Sequence, residues 1–396
     1  MRVGFTAIGG DNWTGGYHYL RNLLTALTLG HREAPVEPVV LCGPDVPAEM
    51  AATLAAMRGV EFHSEAALAG RRRNGRLARA LIFGRDSELS AAFARHRLDV
   101  VFEAADFFGW RLGIPVLAWI PDFQHRTLPQ QFSRLAYWRR ELGFRVQIAA
   151  GRTIMLSSQD SMRICLSRYH VDRDRLALAR FSVMTDSVPD AAAARAVATH
   201  YGLPEHFFYL PNQFWRHKNH LLVLEALALL RQWGLPIVVA ASGRTLDPRH
   251  PDHFPALEGR IRELQISDQF RLLGMIPHPH LTGLMCASDA VLNPSLSEGW
   301  STTVEEARSL GVPLLLSDLD VHKEQAGEGA VYFDRNDPGS LAAAMQAFRP
   351  LDREARREKA QRAHAEARAR VQQFATEFVA AVRQSAAQKP GAPLAG

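Results

Sequence analysis

The chain has almost no lysine. Its 46 basic residues include only Lys218, Lys323, Lys359 and Lys389 as lysines, and none precedes position 218. Cysteine is equally scarce. Cys42, Cys165 and Cys286 are odd in number, far apart and set among apolar residues. That excludes a disulfide framework or a cysteine-based zinc site, and the three read as core thiols of a reducing compartment. A run of ~18 apolar residues is also missing, so there is no candidate for a membrane-spanning helix. The opening Met1-Arg2-Val3-Gly4-Phe5 reads as a strand and not as a leader. No Gly-x-Gly-x-x-Gly follows that strand, which argues against a dinucleotide cofactor. No RNA- or DNA-binding motif accompanies the arginines, so nucleic acid is not an expected partner.

What is present is a chain of 396 residues, 47% of them hydrophobic. Roughly two or three domains with sizeable cores are expected at that length. Charge is unevenly placed. Residues 1–200 hold 25 Arg and no Lys against 19 acids, a net of +6; residues 201–396 hold 21 Lys plus Arg against 22 acids, a net of −1. A basic first half suits an acidic acceptor or an anionic surface.

Strand-like and helix-like patterns alternate along the chain, which argues for α/β architecture. In the first half, strands read at Val3–Ile8, Val39–Cys42, Val100–Glu103, Val116–Ile120 and Thr153–Leu156. Gly9-Gly10 and Gly15-Gly16 bracket a loop ahead of an amphipathic helix, Tyr19–Leu29. Strand, glycine-rich loop, helix is how a Rossmann-like domain begins. Arg71 to Arg76 is basic and the following Leu77–Phe83 apolar, and Phe132–Phe144 mixes arginines with Tyr137 and Trp138. Such helices either lie on anionic membranes or present an ordinary solvated face. Ser157-Ser158 reads as a helix start.

A linker is expected near 185–203. Beyond it, strands read at Phe207–Leu210, Pro236–Ala241, Phe270–Ile276, Ala290–Leu292, Leu314–Leu316 and Val331–Phe333. Helices read at Leu221–Trp233 and Leu281–Ala287, with another starting at Asp337. The last helix, Arg353–Gln384, carries Val371, Phe374, Phe378 and Val382 at helical spacing, a packing face.

The most informative stretch is Asn293-Pro294-Ser295-Leu296-Ser297-Glu298-Gly299-Trp300-Ser301-Thr302-Thr303-Val304-Glu305-Glu306-Ala307. A buried strand leads into it and a helix follows, ending at Gly311 with Pro313 beyond. Thr302 reads as the N-cap, with Glu305 completing a capping box. Glu298 in the loop and Glu306 in the first turns then have no structural task. A loop feeding a helix N-terminus is an anion site. Two flanking carboxylates add hydrogen-bond acceptors for hydroxyls, so the stretch suits a ligand with both phosphates and hydroxyls, as in a nucleotide sugar.

Glu298 and Glu306, separated by seven residues within a Pro-Ser-x-x-Glu-Gly…Glu-Ala frame, closely resemble the donor-binding signature of retaining GT-B glycosyltransferases of family 4 (glycosyl transferases group 1). The resemblance covers nearly the whole second half and, more loosely, the first. It implies two Rossmann-like domains facing each other across a cleft, with a C-terminal helix crossing back to the first. The corresponding divisions are 1–184 for acceptor binding, 185–203 as linker, 204–370 for nucleotide-sugar binding, 371–388 as the returning helix and 389–396 as a loose tail. The implied reaction moves a hexose-type sugar from a UDP- or GDP-sugar to a saccharide or lipid-linked acceptor in cell-surface glycan synthesis. It would retain the anomeric configuration by a front-face route with the phosphate as base.

Residue by residue, the resemblance implies that Glu306 holds the ribose hydroxyls and Glu298 the hydroxyls of the transferred sugar. The amides of Gly299, Trp300, Ser301 and Thr302, together with Lys218, would stabilise the departing diphosphate, and Met275 and Ile276 would neighbour the base. A compact ammonium suits a phosphate seen as a point charge. The glycine pair Gly15-Gly16 would approach the donor or the acceptor, or serve as a tight turn. Asp122 and His125 would line the acceptor and sugar pocket, or Asp122 would cap a helix. With Lys218 and Glu298 they are the expected catalytic residues. No cofactor and no metal are expected: Asp172/Asp174 and Asp318/Asp320 read as surface turns.

Three departures stand out. Gln213 occupies the position of a family arginine, leaving Arg216 as a substitute cation. Pro121 stands where many members carry histidine. Ser301-Thr302-Thr303 replaces the usual Gly-Leu-Pro, and its hydroxyls would bear on donor preference. The expected location is the cytoplasm, with peripheral contact at the inner face of an anionic membrane as one option. A sugar-nucleotide epimerase of the same fold and a non-catalytic nucleotide-sugar-binding subunit stay open as alternatives.

Overall fold

The computed structural model describes residues 1–7, 14–30, 36–104, 106–185 and 188–388. Ile8, the Gly9-Gly10 pair and the tail 389–396 lie outside the described residues. The chain divides into two compact units. One comprises Met1–Phe123, Arg134–Ser182 and Ala369–Gly396; the other comprises Gln124–Ser133 and Val183–Arg368.

In the first unit the described strands are β1 (Arg2–Thr6), β2 (Glu37–Cys42), β3 (Glu61–Ser64), β4 (Val100–Ala104), β5 (Val116–Trp119), β6 (Thr153–Leu156) and β7 (Leu176–Leu178). They form one sheet in the order β3-β2-β1-β4-β5-β6-β7, with parallel pairing throughout. Helices cover parallel sheets on both faces, which is why these strands are near-continuous apolar runs. Val39, Leu41, Val101 and Val116 belong to one apolar cluster, and Ala118, Ile154 and Leu156 to another.

The last helix, Arg353–Ala387, completes this core. Its Phe378 ring lies 5.8 Å from Phe5 and 5.6 Å from Phe102, and its Phe374 ring lies 6.0 Å from Tyr19. Val371, Phe374, Phe378 and Val382 are all buried, as their spacing predicts. Gly15 and Gly16 depart from expectation. They stand in the first turn of the helix Thr14–Gly30 and not in the loop before it.

The second unit has β8 (Phe208–Leu210), β9 (Val239–Ser242), β10 (Phe270–Gly274), β11 (Ala290–Asn293), β12 (Leu314–Ser317) and β13 (Ala330–Phe333). Their order is β10-β9-β8-β11-β12-β13, and they too pair in parallel. Side chains alternate across this sheet. Phe208, Leu210, Leu292 and Leu315 enter one apolar cluster, whereas Tyr209, Val291, Leu314 and Leu316 enter another. The β9 strand starts at Val239, later than the Pro236 expected, because Ile237 N–H turns back to Leu235 O at 2.9 Å and does not join the ladder. Within the segment expected as linker, Ala191–His200 is a helix that Asp190 caps, and it buries Ala194 and Ala198.

Several local signals are realised. Ser158 caps the helix Gln159–Arg168 through the Ser161 N–H, and Asp337 caps Pro338–Ala347. Gly311 ends the helix Thr302–Leu310 with φ of 70°. A Cβ there would sit 2.8 Å from Ala360 Cα, so the position needs glycine for both conformation and close approach. Cys42 and Cys165 are buried and Cys286 partly so, all three as free thiols.

Candidate active site in the second unit

The strand order of the second sheet reverses between β8 and β11. In open parallel sheets, ligands bind beyond the carboxyl ends of the strands at such a switch point. The loop after β8 carries Lys218 and the loop after β11 carries Glu298. These two residues meet: Lys218 Nζ lies 2.6 Å from Glu298 Oε1. Their side chains are only 13% and 10% exposed, so the pair is well shielded from bulk water.

Both loops are held from below. Lys218 ends a short 3-10 turn, Arg216–Lys218, and Asn219 then reverses the chain in the left-handed region with φ of 57°. Asparagine tolerates that conformation better than most residues. Leu296 N–H donates to His217 O at 2.8 Å, joining the two loops main chain to main chain. Thr303 Oγ1 donates to Asn212 Oδ1 at 3.1 Å. Gly243, directly after β9, also contributes: a Cβ there would meet Asn212 O at 2.5 Å, so only glycine lets this loop approach.

Glu298 is oriented by a chain of polar residues at strand ends. Ser295 Oγ lies 2.7 Å from Glu298 Oε1 and 2.6 Å from Asn293 Oδ1. Asn293 Nδ2 donates to Ser301 Oγ at 2.8 Å. From the end of β12, Ser317 Oγ donates to Ser295 O at 2.7 Å. His322 is fully buried and lies with Nδ1 3.0 Å from Ser317 O. Burial holds its imidazole down at about 4, although the Glu298 charge pulls the other way. His220, stacked on Phe214 at 4.2 Å, is likewise held at about 3 by burial. Both rings are therefore neutral at pH 7.

The helix start differs from expectation. Ser301, not Thr302, is the N-cap, and its Oγ accepts from Val304 N–H. That puts Val304 at the third helical position, so Glu305 cannot complete a capping box. Glu305 is instead buried, 2.7 Å from Arg308 Nη1 and 2.9 Å from Gln325 Nε2. Gln325 also clamps the Ser301 main chain at both ends, donating to its O and accepting from its N–H. Thr302 is exposed, while Gly299 is buried and Trp300 half-buried. Glu306 is half-buried, with Oε1 3.7 Å from His278 Nε2.

The other expected residues fall as follows. Met275 is exposed and Ile276 half-buried, just past β10. Arg216 is exposed, its N–H donating to Asp247 Oδ2 at 3.2 Å. Gln213 Oε1 accepts from Arg244 N–H at 2.7 Å. Asp122 and His125, read together from the sequence, belong to different units. Asp122 accepts from Arg140 Nη2 at 2.6 Å in the first. His125 is fully buried in the second, where its neighbour Thr127 lies 2.8 Å, Oγ1 to Oγ, from Ser297. Asp172 and Asp174 are exposed, and Asp318 pairs with Arg335 at 2.6 Å.

Sequence reasoning passed over Asn293, Ser295, Ser317, His322, Gln325 and Arg249. Arg249 joins Gln124 Oε1 at 2.9 Å within the second unit. A signal did exist for some of them. Asn293 and Ser317 are polar residues closing apolar strands, where the sheet hands over to its site.

Two parallel Rossmann-like sheets with this switch-point site define a GT-B glycosyltransferase fold. Residues 198–370 match the family described as glycosyl transferases group 1. That match spans 173 of the 396 residues, all of them from position 198 onward. The chain is 26% identical over 238 residues to the O-antigen chain mannosyltransferase RfbU of Salmonella typhimurium, covering 59% of this chain and 60% of that protein. It is 28% identical over 190 residues to the serotype-specific mannosyltransferase WbdA of Escherichia coli, covering 46% and 21%. The chain therefore spans less than two thirds of these relatives. Among solved structures, a glycosyltransferase of Rickettsia africae superposes with a TM-score of 0.70 at 13% identity, covering 98% and 99%. Anabaena HepE in complex with UDP and glucose superposes at 0.68 and 15%, covering 97% and 99%.

Proposed function

We propose that this chain transfers a hexose, with retention, from a nucleoside-diphosphate sugar to a saccharide or lipid-linked acceptor. The observation that carries the reading is the Lys218–Glu298 pair at the switch point, with Glu306 on the adjoining helix. In this reading the Lys218 ammonium moves from Glu298 to the donor diphosphate and neutralises the charge that grows there as the glycosidic bond breaks. Glu298 Oε1 is fixed by Ser295, so Oε2 is the acceptor left for a sugar hydroxyl. The free N–H groups at the start of the helix Thr302–Leu310 serve the phosphates. Glu306 serves the ribose, and Met275 and Ile276 flank the base. No step in this scheme calls on a metal ion. The mannosyltransferase relatives make GDP-mannose the first donor to try, and the UDP-bound neighbour makes UDP-glucose the second.

We further propose that the acceptor side works against an anionic bilayer. The helix Arg134–Ala149 exposes Leu135, Trp138 and Leu142 at spacings of three and four, beside Arg134, Arg139 and Arg145. Leu81, Ile82 and Phe83 are exposed at the end of the helix Arg73–Ile82. An apolar stripe among arginines suits an interfacial helix.

The test is a panel of GDP-, UDP- and ADP-sugars, scored for donor hydrolysis, transfer and melting shift. Donor hydrolysis or transfer supports the proposal. An isomerised donor would assign an epimerase, and a melting shift without chemistry a binding subunit. Co-sedimentation with phosphatidylglycerol vesicles, against phosphatidylcholine, tests the bilayer separately.

A further inference from the structure

The seven-stranded sheet of the first unit has β3 at one edge, and a cluster of histidines and glutamates gathers there. Glu61 and His63 are two apart on β3 and share one face of the strand. His96 follows the helix Ser87–Arg95 as its C-terminal cap. Its ring centroid lies 4.2 Å from that of His63. One ligand atom each from Glu61, His63 and His96 lies within 4.8 Å of the others. The side chains of Glu61, His63 and His96 are 42%, 37% and 13% exposed, so an ion from solvent can reach them.

The partners of these groups are as telling as their proximity. Glu61 Oε1 and His63 Nε2 are 2.7 Å apart, within hydrogen-bond distance. Glu65 Oε1 stands 2.7 Å from His96 Nε2. A neutral His96 that gives its Nε2–H to Glu65 keeps its lone pair on Nδ1. A carboxylate behind an imidazole in this way is the usual support of a metal-bound histidine. The two guanidiniums nearby use the opposite carboxylate oxygens. Arg2 Nη2 lies 2.8 Å from Glu61 Oε2, and Arg95 Nη2 lies 2.7 Å from Glu65 Oε2.

We propose that the β3 edge binds a borderline divalent transition metal, with zinc as its representative, through Glu61, His63 and His96. Two imidazoles and one carboxylate suit zinc, nickel or copper, whereas magnesium and calcium prefer oxygen alone. On binding, the ion exchanges bound waters for one metal–oxygen bond to Glu61 and metal–nitrogen bonds to His63 and His96, each ring keeping its N–H on the nitrogen that does not ligate, with no change of oxidation state. Zinc–ligand bonds of about 2.0–2.1 Å put tetrahedral ligand atoms about 3.4 Å apart. Closing from 4.8 Å needs only rotamer changes of partly exposed side chains. Water fills the fourth position. Arg2 and Arg95 oppose a further positive charge, so affinity is micromolar and not nanomolar. The bound ion would pin the edge strand to the end of the Ser87–Arg95 helix. The site stands apart from the sugar-transfer reading and does not depend on it.

The test uses the untagged full chain, stripped with chelator and dialysed, then titrated calorimetrically with zinc chloride and separately with magnesium chloride. Expected are one zinc per chain with a Kd of about 10 µM and no magnesium binding. His63→Ala/His96→Ala should weaken zinc at least 30-fold, and Glu61→Gln should weaken it as well. Circular dichroism in metal-free buffer identifies any variant that fails to fold, and His96→Gln then replaces it. Absence of saturable zinc binding, unchanged binding in the double variant, or equal binding of magnesium would each overturn the proposal.

Discussion

Lys218 and Glu298 are 80 residues apart in the chain, yet their charged atoms are 2.6 Å apart. Each follows one of two neighbouring strands, β8 and β11, at the point where the sheet changes direction. The geometry is a property of the topology, and the loop-to-loop bond from Leu296 to His217 fixes its fine adjustment.

Replacing Lys218 by alanine should lower kcat by ~10²-fold or more, since a charge contact that strengthens in the transition state is lost. It also strands a shielded carboxylate, so Tm should fall too. Lys218→Arg should recover stability better than turnover, because its planar fork replaces a point charge. Steady-state kinetics beside thermal melts check both. A kcat within about threefold of the parent would contradict the assignment.

Glu306→Gln should act on binding and not on chemistry. If the carboxylate accepts from ribose hydroxyls, the donor KM rises about 10- to 100-fold while kcat changes little. A fall in kcat with KM preserved would move Glu306 to the reacting end of the donor.

The two candidate caps separate cleanly by stability. Ser301→Ala removes the side-chain cap of the Glu306 helix and should cost about 1 kcal/mol. Thr302→Ala, at an exposed first helical position, should cost well under half of that. Urea unfolding of the two variants decides between them, and the reverse ranking would restore Thr302 as the cap.

Acid sensitivity should trace in part to His322. Its folded-state imidazole is held at about 4, below the ordinary value, so the unfolded chain takes up the proton first as pH falls. The native state keeps this stabilisation above about pH 6.5 and loses it on the way down to about 4. His322→Asn should therefore flatten the decline in stability across that window, by up to about 1.4 kcal/mol per pH unit. His220 works in the same direction and remains in the variant. An identical pH profile for parent and variant would contradict this.

Much of the fold is legible in the chain because its causes are local. Apolar strand runs, the Ser158 and Asp337 caps, the Gly311 stop and the Phe374–Phe378 stripe each depend on a few neighbouring residues. The acidic pair of the candidate site can be picked out for the same reason, since one continuous motif carries both residues. What escaped depends on contacts far apart in sequence. Nothing near Glu305 announces that Gln325, twenty positions on, takes its carboxylate and clamps the main chain of the cap residue Ser301. Nor does the stretch Asp122–His125 reveal that its two ends belong to different units, since that is decided by Thr127 meeting Ser297 and by Arg140 meeting Asp122.

The aromatic interior that Phe5, Phe102 and Tyr19 begin is finished by Phe374 and Phe378, more than 270 positions later. A ribosome emits β1 long before it emits its packing partner. During synthesis the first sheet must therefore wait with that apolar face uncovered, while the second unit already has its complete set of strands. The later-made unit is thus free to fold first, and the part of the chain made earliest is the last to close its core.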